Sequence, residues 1–318
     1  MKINAKNERG VKVKKQNYFI RLFRDIREKP TLYLMIVPVL AYFIIFHYVP
    51  MYGALIAFQD YVPIKGMLGS KFVGFKHFES FLTDVYFFRL LRNTLRISIL
   101  DVVVNFFLPI IFALLLNEVT AKKFRKTVQT VSYVPHFIST VVVCGMIKQF
   151  TADTGFITNI LAMFGFDKVS MLAYPQYYVP IHIISNTWQK LGWSSIIYMA
   201  AISGINQELY EAAEIDGAGR FKQALHVTIP GIMGTIVILL VLKIGTLLTV
   251  GYEKIILLYN PSTYETADVI SSYVYRKGLL ESSWSYSTAV GLFNSIVNVI
   301  LLVSANVLSK KMGQSGLF

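Results

Sequence analysis

The chain has 318 residues, 54% of them apolar and only 15% charged, with a formal net charge of +13 and a mean hydropathy of +0.53. Soluble domains carry roughly 25% charged residues, so this balance excludes an ordinary soluble protein and indicates a membrane protein. The single cysteine, Cys144, excludes a disulfide framework. Five scattered histidines show no metal-ligand spacing, and no G-x-x-x-x-G-K-[ST] loop is present to cradle a nucleotide phosphate.

The first 30 residues hold ten Lys and Arg. Within them YFIRLFRDIREK (18–29) sets Phe19, Leu22, Phe23 and Ile26 on one helical face and Arg21, Arg24 and Arg27 on another. That pattern suits a helix lying on the inner leaflet, with a disordered basic tail as the alternative. The apolar run that follows is too long for a cleaved signal peptide and carries no small-residue cleavage site.

A helix crosses the bilayer core with roughly 20 apolar residues. The stretch 31–59 holds no charged residue and predicts a first span at 31–52. A second falls at 93–117, despite Arg96 and Asp101; a third, charge-free, at 127–147. A fourth covers 178–203 and contains Lys190. A fifth, at 227–252, contains Lys243, and a sixth, at 282–309, has no charge. Backbone polar groups must be satisfied inside lipid, so the expected fold is an all-α bundle of six transmembrane helices. Pro135, in SYVPHFIST (132–140), predicts a kink in the third span, either a hinge or a static feature.

Basic residues set the orientation. The N-terminal segment, the 118–126 loop, Arg220, Lys222 and the tail lysines 310 and 311 place eighteen on one side of a six-span chain, against ten on the other. Both termini are therefore expected in the cytoplasm. The domain reading is a cytoplasmic segment 1–30, a membrane domain 31–309 and a tail 310–318. The charge is topology signal, and no nucleic-acid partner is expected. The outer loop 253–284 carries turn chemistry in NPSTYET (260–266) and a short helix in 267–280; it serves a partner or a lid, or is a passive connection.

Polar residues inside spans are functional candidates, because exposing them to lipid is costly. Asn186, Lys190, Trp193 and Ser194 recur at i, i+4, i+7 and i+8 in the fourth span. Lys243 and Thr246 share a face of the fifth, and Asn294 and Asn298 a face of the sixth. Asn186, Lys190, Trp193, Lys243 and Thr246 are read as substrate-pathway residues; the two asparagines of the sixth span are read as interhelical hydrogen-bonding groups. Asp101 is expected to balance one of the lysines.

Between the fourth and fifth spans lies EAAEIDGAGRFKQALHVTIP (211–230), which has more acids than bases although it faces the basic side. Good helix formers run from 206 to 216, Gly217 and Gly219 break the helix, and a second short helix follows up to Pro230. Glu211-Ala212-Ala213, then Gly217, then Val227, Ile229 and Pro230 resemble the cytoplasmic loop signature of permease subunits of ABC importers. Val227 and Ile229 stand where that family usually has Ile and Leu. The segments 33–61, 72–95 and 257–279 resemble the carbohydrate branch that handles oligosaccharides and polysaccharide fragments, so the likeness covers nearly the whole chain.

That resemblance implies a type I importer permease in the bacterial cytoplasmic membrane, itself not an enzyme. It implies a coupling loop at 205–230, with Glu211, Ala212, Ala213, Asp216, Gly217, Arg220 and Pro230 seated in an ATPase subunit. The partners implied are a second homologous permease forming a heterodimer, two ATPase subunits and an extracellular solute-binding lipoprotein. No cofactor is expected on this chain, ATP and magnesium residing in the ATPases. The rival readings are a secondary transporter working alone, which would usually show repeated halves that are not evident here, a membrane assembly or sensor subunit, and an importer permease for a non-sugar solute.

Overall fold

A computed structural model describes residues 27–313, 316 and 317. The amphipathic segment expected at 18–29 lies outside them except for its last three residues. The chain divides into two compact units at Leu55/Ile56.

In the first unit, helix α1 (Pro30–Phe43) begins with proline at its first turn, where the missing N–H costs little. It runs into a π-turn at Ile44–Tyr48. None of the side chains of α1 is buried. An all-round apolar helix of this kind is suited to lipid.

The second unit opens with a two-stranded antiparallel ribbon, β1 (Gln59–Asp60) against β2 (Lys71–Phe72), followed by α2 (Lys76–Leu82). Helices α3 (Phe87–Asn105) and α4 (Phe107–Glu118) form one 32-residue run that contains an apolar stretch long enough to cross a membrane. Helix α5 (Lys122–Tyr133) continues into a 3-10 turn at Val134–Phe137, and α6 (Thr140–Phe150) leaves at 98° to it. The third span is thus two helices rather than one. Pro135 lies in the turn, Ile138 and Ser139 are extended, and the Ser139 hydroxyl caps α6 by accepting from the Val142 N–H. The short α7 (Phe156–Met163) precedes α8 (Pro175–Ser203), the longest helix at 29 residues.

After the polar segment come α9 (Gln207–Ile215), then α10 (Met233–Gly245), which is bent 62° from the preceding helical turns 220–231 at Ile232. Helices α11 (Tyr252–Leu258), α12 (Ile270–Tyr275) and α13 (Trp284–Lys311) complete the unit. Among the described residues three helices are long and apolar enough to cross a membrane, or five if each bent pair is one span. Helix α8 has the length but not the apolar composition, because it carries Asn186, Gln189 and Lys190 along with several serines.

The core holds three apolar clusters. One gathers Ile97, Tyr178, Ile183 and Ile255; a second Phe106, Ala113, Tyr198 and Ile232; a third Phe81, Leu90, Ile270 and Tyr273. The segment expected to form an outer loop is packed into the first and third. Asp268 is fully buried and takes two bonds from Arg276, at 3.2 and 2.7 Å, and one from the Ser272 hydroxyl at 2.8 Å. The Asn93 amide donates to the Glu265 and Asp268 carbonyls, and the Ile270 N–H donates to the Thr94 hydroxyl. This stretch is a structural plug locked onto α3 rather than a free connection.

Two contacts lend themselves to measurement. At Gly192 an added Cβ would lie 2.3 Å from the Ser132 carbonyl oxygen, so α5 and α8 meet backbone to side-chainless backbone. Gly192→Ala is expected to cost about 1–3 kcal/mol by overpacking, read as a lower thermal midpoint of the purified protein. In the turn before α3, burial raises the affinity of Asp84 for a proton, but the Tyr86 N–H and the Tyr273 and Tyr286 hydroxyls, each at 2.8 Å, outweigh it and hold the carboxyl below its ordinary 3.8. A depressed folded-state value means that the stabilisation is complete above 3.8 and is lost as pH falls through the folded value. Thermal midpoints should therefore fall more steeply with acidification below pH 4 in the wild type than in Asp84→Asn.

Candidate functional site

A cavity of about 470 Å³ lies within the second unit. Its walls come from α3 through Ser98 and Asp101, from α8 through His182, Asn186, Gln189 and Lys190, and from α10 and the turn after it, 246–251. Tyr252, Glu253 and Lys254 of α11 and Ser271 of α12 close one side. Helix α8 can serve as a wall because His182, Asn186, Gln189 and Lys190 fall at i, i+4, i+7 and i+8, while Ile184, Trp188 and Ile197 are exposed on its other surfaces.

The charge at its centre is Asp101. Lys243 Nζ sits 2.6 Å from Oδ2, and the Asn186 and Asn105 amides donate to Oδ1 at 2.6 and 2.8 Å. The Thr187 hydroxyl in turn donates to Asn105 Oδ1 at 2.6 Å. One carboxylate thereby ties α3, α8 and α10 together. Its ion pair is only partly sealed, with 39% of the Lys243 side chain and 16% of that of Asp101 exposed. The Gln189 amide donates to the Ile138 carbonyl at 3.2 Å, which anchors the break between α5 and α6 to the same wall.

Of the five pathway residues read from sequence, the structure brings Asn186, Lys190, Lys243 and Thr246 to this cavity. Trp193 lines a neighbouring hollow of about 400 Å³ with Asn105, Ser194 and Lys243. There its indole stacks on His136, ring centres 4.4 Å apart and planes within 4°. Asn298 does hold helices together: its Oδ1 accepts from the Leu248 N–H at 3.0 Å and its amide donates to the Thr249 hydroxyl at 2.9 Å. Asn294 Oδ1, by contrast, is buried without a hydrogen-bond partner. Ser98, His182, Gln189 and Lys254 were missed as wall residues. His182 extends the Asn186–Lys190 stripe by one turn and Gln189 falls within it, so helical period alone could place both. Lys254 reads in sequence as a loop cation.

The polar segment forms the expected helix–turn–helix. Asn206 caps α9 by accepting from the Glu208 N–H, and Gly217 takes φ +74°, a left-handed value that glycine adopts without strain. A four-residue helix, Arg220–Gln223, and a π-turn, Ala224–Thr228, follow. The Gln223 amide donates to the Ala218 carbonyl, and Tyr210 and Thr228 share a hydroxyl–hydroxyl bond at 3.0 Å. Arg220 donates to the Glu118 carbonyl, joining this element to the end of α4. Its outer surface is exposed: Glu211, Ala212, Asp216 and Gly217 lie open, with Ile215 87% and Phe221 81% exposed beside them. Pro230 sits within the helical turns that precede the bend at Ile232.

Residues 105–314, which contain this element and most of the cavity wall, match the family described as binding-protein-dependent transport system inner membrane component. The chain belongs to this family. It is 46% identical over 299 residues, 94% of this chain and 93% of the relative, to the polygalacturonan/rhamnogalacturonan transport system permease protein YteP of Bacillus subtilis (strain 168). It is 45% identical over 288 residues, 90% of this chain and 91% of the relative, to Protein LplB of the same organism. Among solved structures it superposes with a TM-score of 0.86 and 43% identity on a chain of a bacterial alginate ABC transporter in complex with alginate pentasaccharide-bound periplasmic protein, covering 93% of this chain and 100% of that one. The permease is thus an inner membrane component of a binding-protein-dependent transport system, with the helical fold of that ABC transporter chain.

Removing one member of the Asp101–Lys243 pair leaves a charge without its partner. Lys243→Met is expected to cost the permease about 2 kcal/mol, below the roughly 3–5 of a fully buried pair because Lys243 is partly solvated. Adding Asp101→Asn should restore much of the thermal midpoint, whereas additive losses in the double variant would show that the two side chains act separately.

Proposed function

We propose that this chain is one of two permease subunits of an ATP-driven importer of oligosaccharides, working by alternating access in a bacterial cytoplasmic membrane. In this reading six spans cross the membrane with both termini inside. A related permease completes the pathway, two ATPases hold ATP and magnesium, and an extracellular binding protein delivers the cargo.

The observation that carries the reading is the exposed helix–turn–helix at 207–228. It places the Glu211-Ala212-Ala213 and Gly217 signature on a rigid, internally hydrogen-bonded element that still presents Ile215 and Phe221 outward. Apolar side chains at that exposure, ringed by acids, suit a protein cleft better than water. Motion of an ATPase dimer would reach the cavity through Arg220 and the turns before Ile232, since α10 carries Lys243. The bends of 98° and 62° are points where packed segments can re-angle as units. Cargo shifts such an equilibrium only by binding the two states differently.

The cargo we infer is acidic. Two similar proteins are named for polygalacturonan/rhamnogalacturonan and for alginate transport. The cavity holds Lys190 and Lys254 in addition to the neutralised Asp101–Lys243 pair, against Glu253 alone.

Purification of the tagged chain from native membranes in mild detergent, with mass spectrometry of what accompanies it, tests the assembly. An ATPase and a second permease are expected in the eluate. A chain that elutes alone, while other membrane complexes survive, would point to a transporter that works by itself. Glu211→Ala, at an exposed position, and Gly217→Val, which strains a left-handed residue by about 1–2 kcal/mol, are each expected to abolish cargo-stimulated ATP hydrolysis. Retained uptake in both would sink the coupling assignment.

A further inference from the structure

Four buried polar atoms without any hydrogen-bond partner belong to one region of the bundle: Ser98 Oγ, Tyr178 Oη, His182 Nδ1 and Lys254 Nζ. Ser98, His182 and Lys254 all line the 470 Å³ cavity, from α3, α8 and α11 respectively. Tyr178 lies one turn before His182 with its ring stacked against the imidazole, centres 6.1 Å apart. It packs in the same apolar cluster as Ile97 and Ile255, the chain neighbours of Ser98 and Lys254.

Such a grouping is costly. An ammonium sealed in a membrane bundle is ordinarily paired, and unpaired buried hydroxyls and imidazoles each lose the hydrogen bonds they had in water. Among the described residues no acid lies within ion-pairing distance of Lys254. Lys254 is 6% exposed, and Asp101, the half-buried acid of the same cavity, is already occupied by Lys243 and two amides. The remaining acid on the wall, Glu253, is exposed. All of the unpartnered groups can donate a hydrogen bond. An ammonium and two hydroxyls donate, and the imidazole donates from whichever nitrogen carries its proton. An unpaired ammonium, which can only donate, beside groups that can each supply a further donor is suited to an anion, and the cation has a long flexible stem.

We propose that Lys254 is the recognition residue of a carboxylate subsite in the cavity, with Ser98 and His182 as neighbouring donors and Tyr178 behind them, and that its ligand is the carboxylate of a uronic acid unit of the cargo. The inference rests on the acidic oligosaccharide reading above and assigns one group of that cargo to one place. In the state described the ammonium is sealed from solvent. Turning it into the cavity to meet a carboxylate exchanges an unpaired buried charge for a charge-assisted hydrogen bond. Binding at this subsite is therefore favoured by relief of a cost the empty protein carries. The subsite is separate from the Asp101–Lys243–Asn186 centre, whose lysine is already paired.

The test uses the complex purified with its own partner permease, ATPase and binding protein, reconstituted into proteoliposomes, with labelled trigalacturonate and neutral arabinotriose as probes. Lys254→Met is expected to lower trigalacturonate uptake at least tenfold while leaving the thermal midpoint of the complex unchanged or raised, because a buried unpaired charge has been removed. Lys254→Arg, which keeps the cation, should retain uptake within a few-fold of the wild type. Lys254→Met transporting trigalacturonate like the wild type would overturn the subsite. So would loss of uptake together with a lowered thermal midpoint, the mark of a structural lysine. Wild type that imports arabinotriose but not trigalacturonate would overturn the subsite and leave oligosaccharide import standing. Wild type that imports neither would overturn the cargo reading and the subsite with it.

Discussion

A carboxylate inside a membrane bundle has to be neutralised, and in this chain the neutralisation of Asp101 organises the cavity. An isolated charge at that depth costs several kcal/mol, and the helical run that carries it, Phe87–Glu118, contains a strongly apolar span. Lys243 supplies the countercharge from α10, and Asn186 and Asn105 supply the amide donors. Because those partners come from three helices, the requirement of one side chain sets how α3, α8 and α10 are rotated about their axes. The same rotation turns His182, Gln189 and Lys190 toward the cavity and leaves Ile184 and Ile197 to the outside.

The breaks in the helices belong to the same arrangement. A straight third span would carry α5 past α8 without a corner. The turn at Pro135 and the extended Ile138–Ser139 instead bring the Ile138 carbonyl within reach of the Gln189 amide on the cavity wall. At Gly192 the lack of a side chain lets Ser132 approach the backbone of α8 directly. A backbone opened at membrane depth is tolerable only where protein or a cavity covers it, and both bends adjoin the helices that line one. The bend at Ile232 joins the exposed element at 207–228 to α10, which holds Lys243, through helical turns rather than loop.

The segment 260–280 is held in the bundle by hydrogen bonds as well as by apolar contact. Asp268, Arg276, Ser272 and Asn93 satisfy one another where none could be left alone, and Asp84 is held by two tyrosine hydroxyls at the edge of the same region. A length of chain that reads as a loop by its turn residues is thereby built into the core, because a polar segment can be buried when each of its groups finds a partner. Where a group finds none, as at Lys254, the exception is informative.

By itself the amino-acid sequence determined the membrane-embedded helical class, the approximate positions of the apolar runs, the kink at Pro135, and the helix–turn–helix with its glycine at 217. Each of these follows from local properties: hydropathy over one helix length, the missing N–H of proline, the freedom of glycine at positive φ. The polar stripe on α8 was legible for the same reason, since helical period alone puts Asn186 and Lys190 on one face. Tertiary structure alone decided that Lys243 rather than Lys190 pairs with Asp101, that Trp193 stacks on His136 beside a second hollow, that the 260–280 stretch is buried, and that Lys254 meets the cavity. Asp101 and Lys243 are 142 residues apart. Periodicity says which face of a helix is polar, but not which other helix that face will meet; that is settled only when several helices pack at once and each buried charge must find a partner.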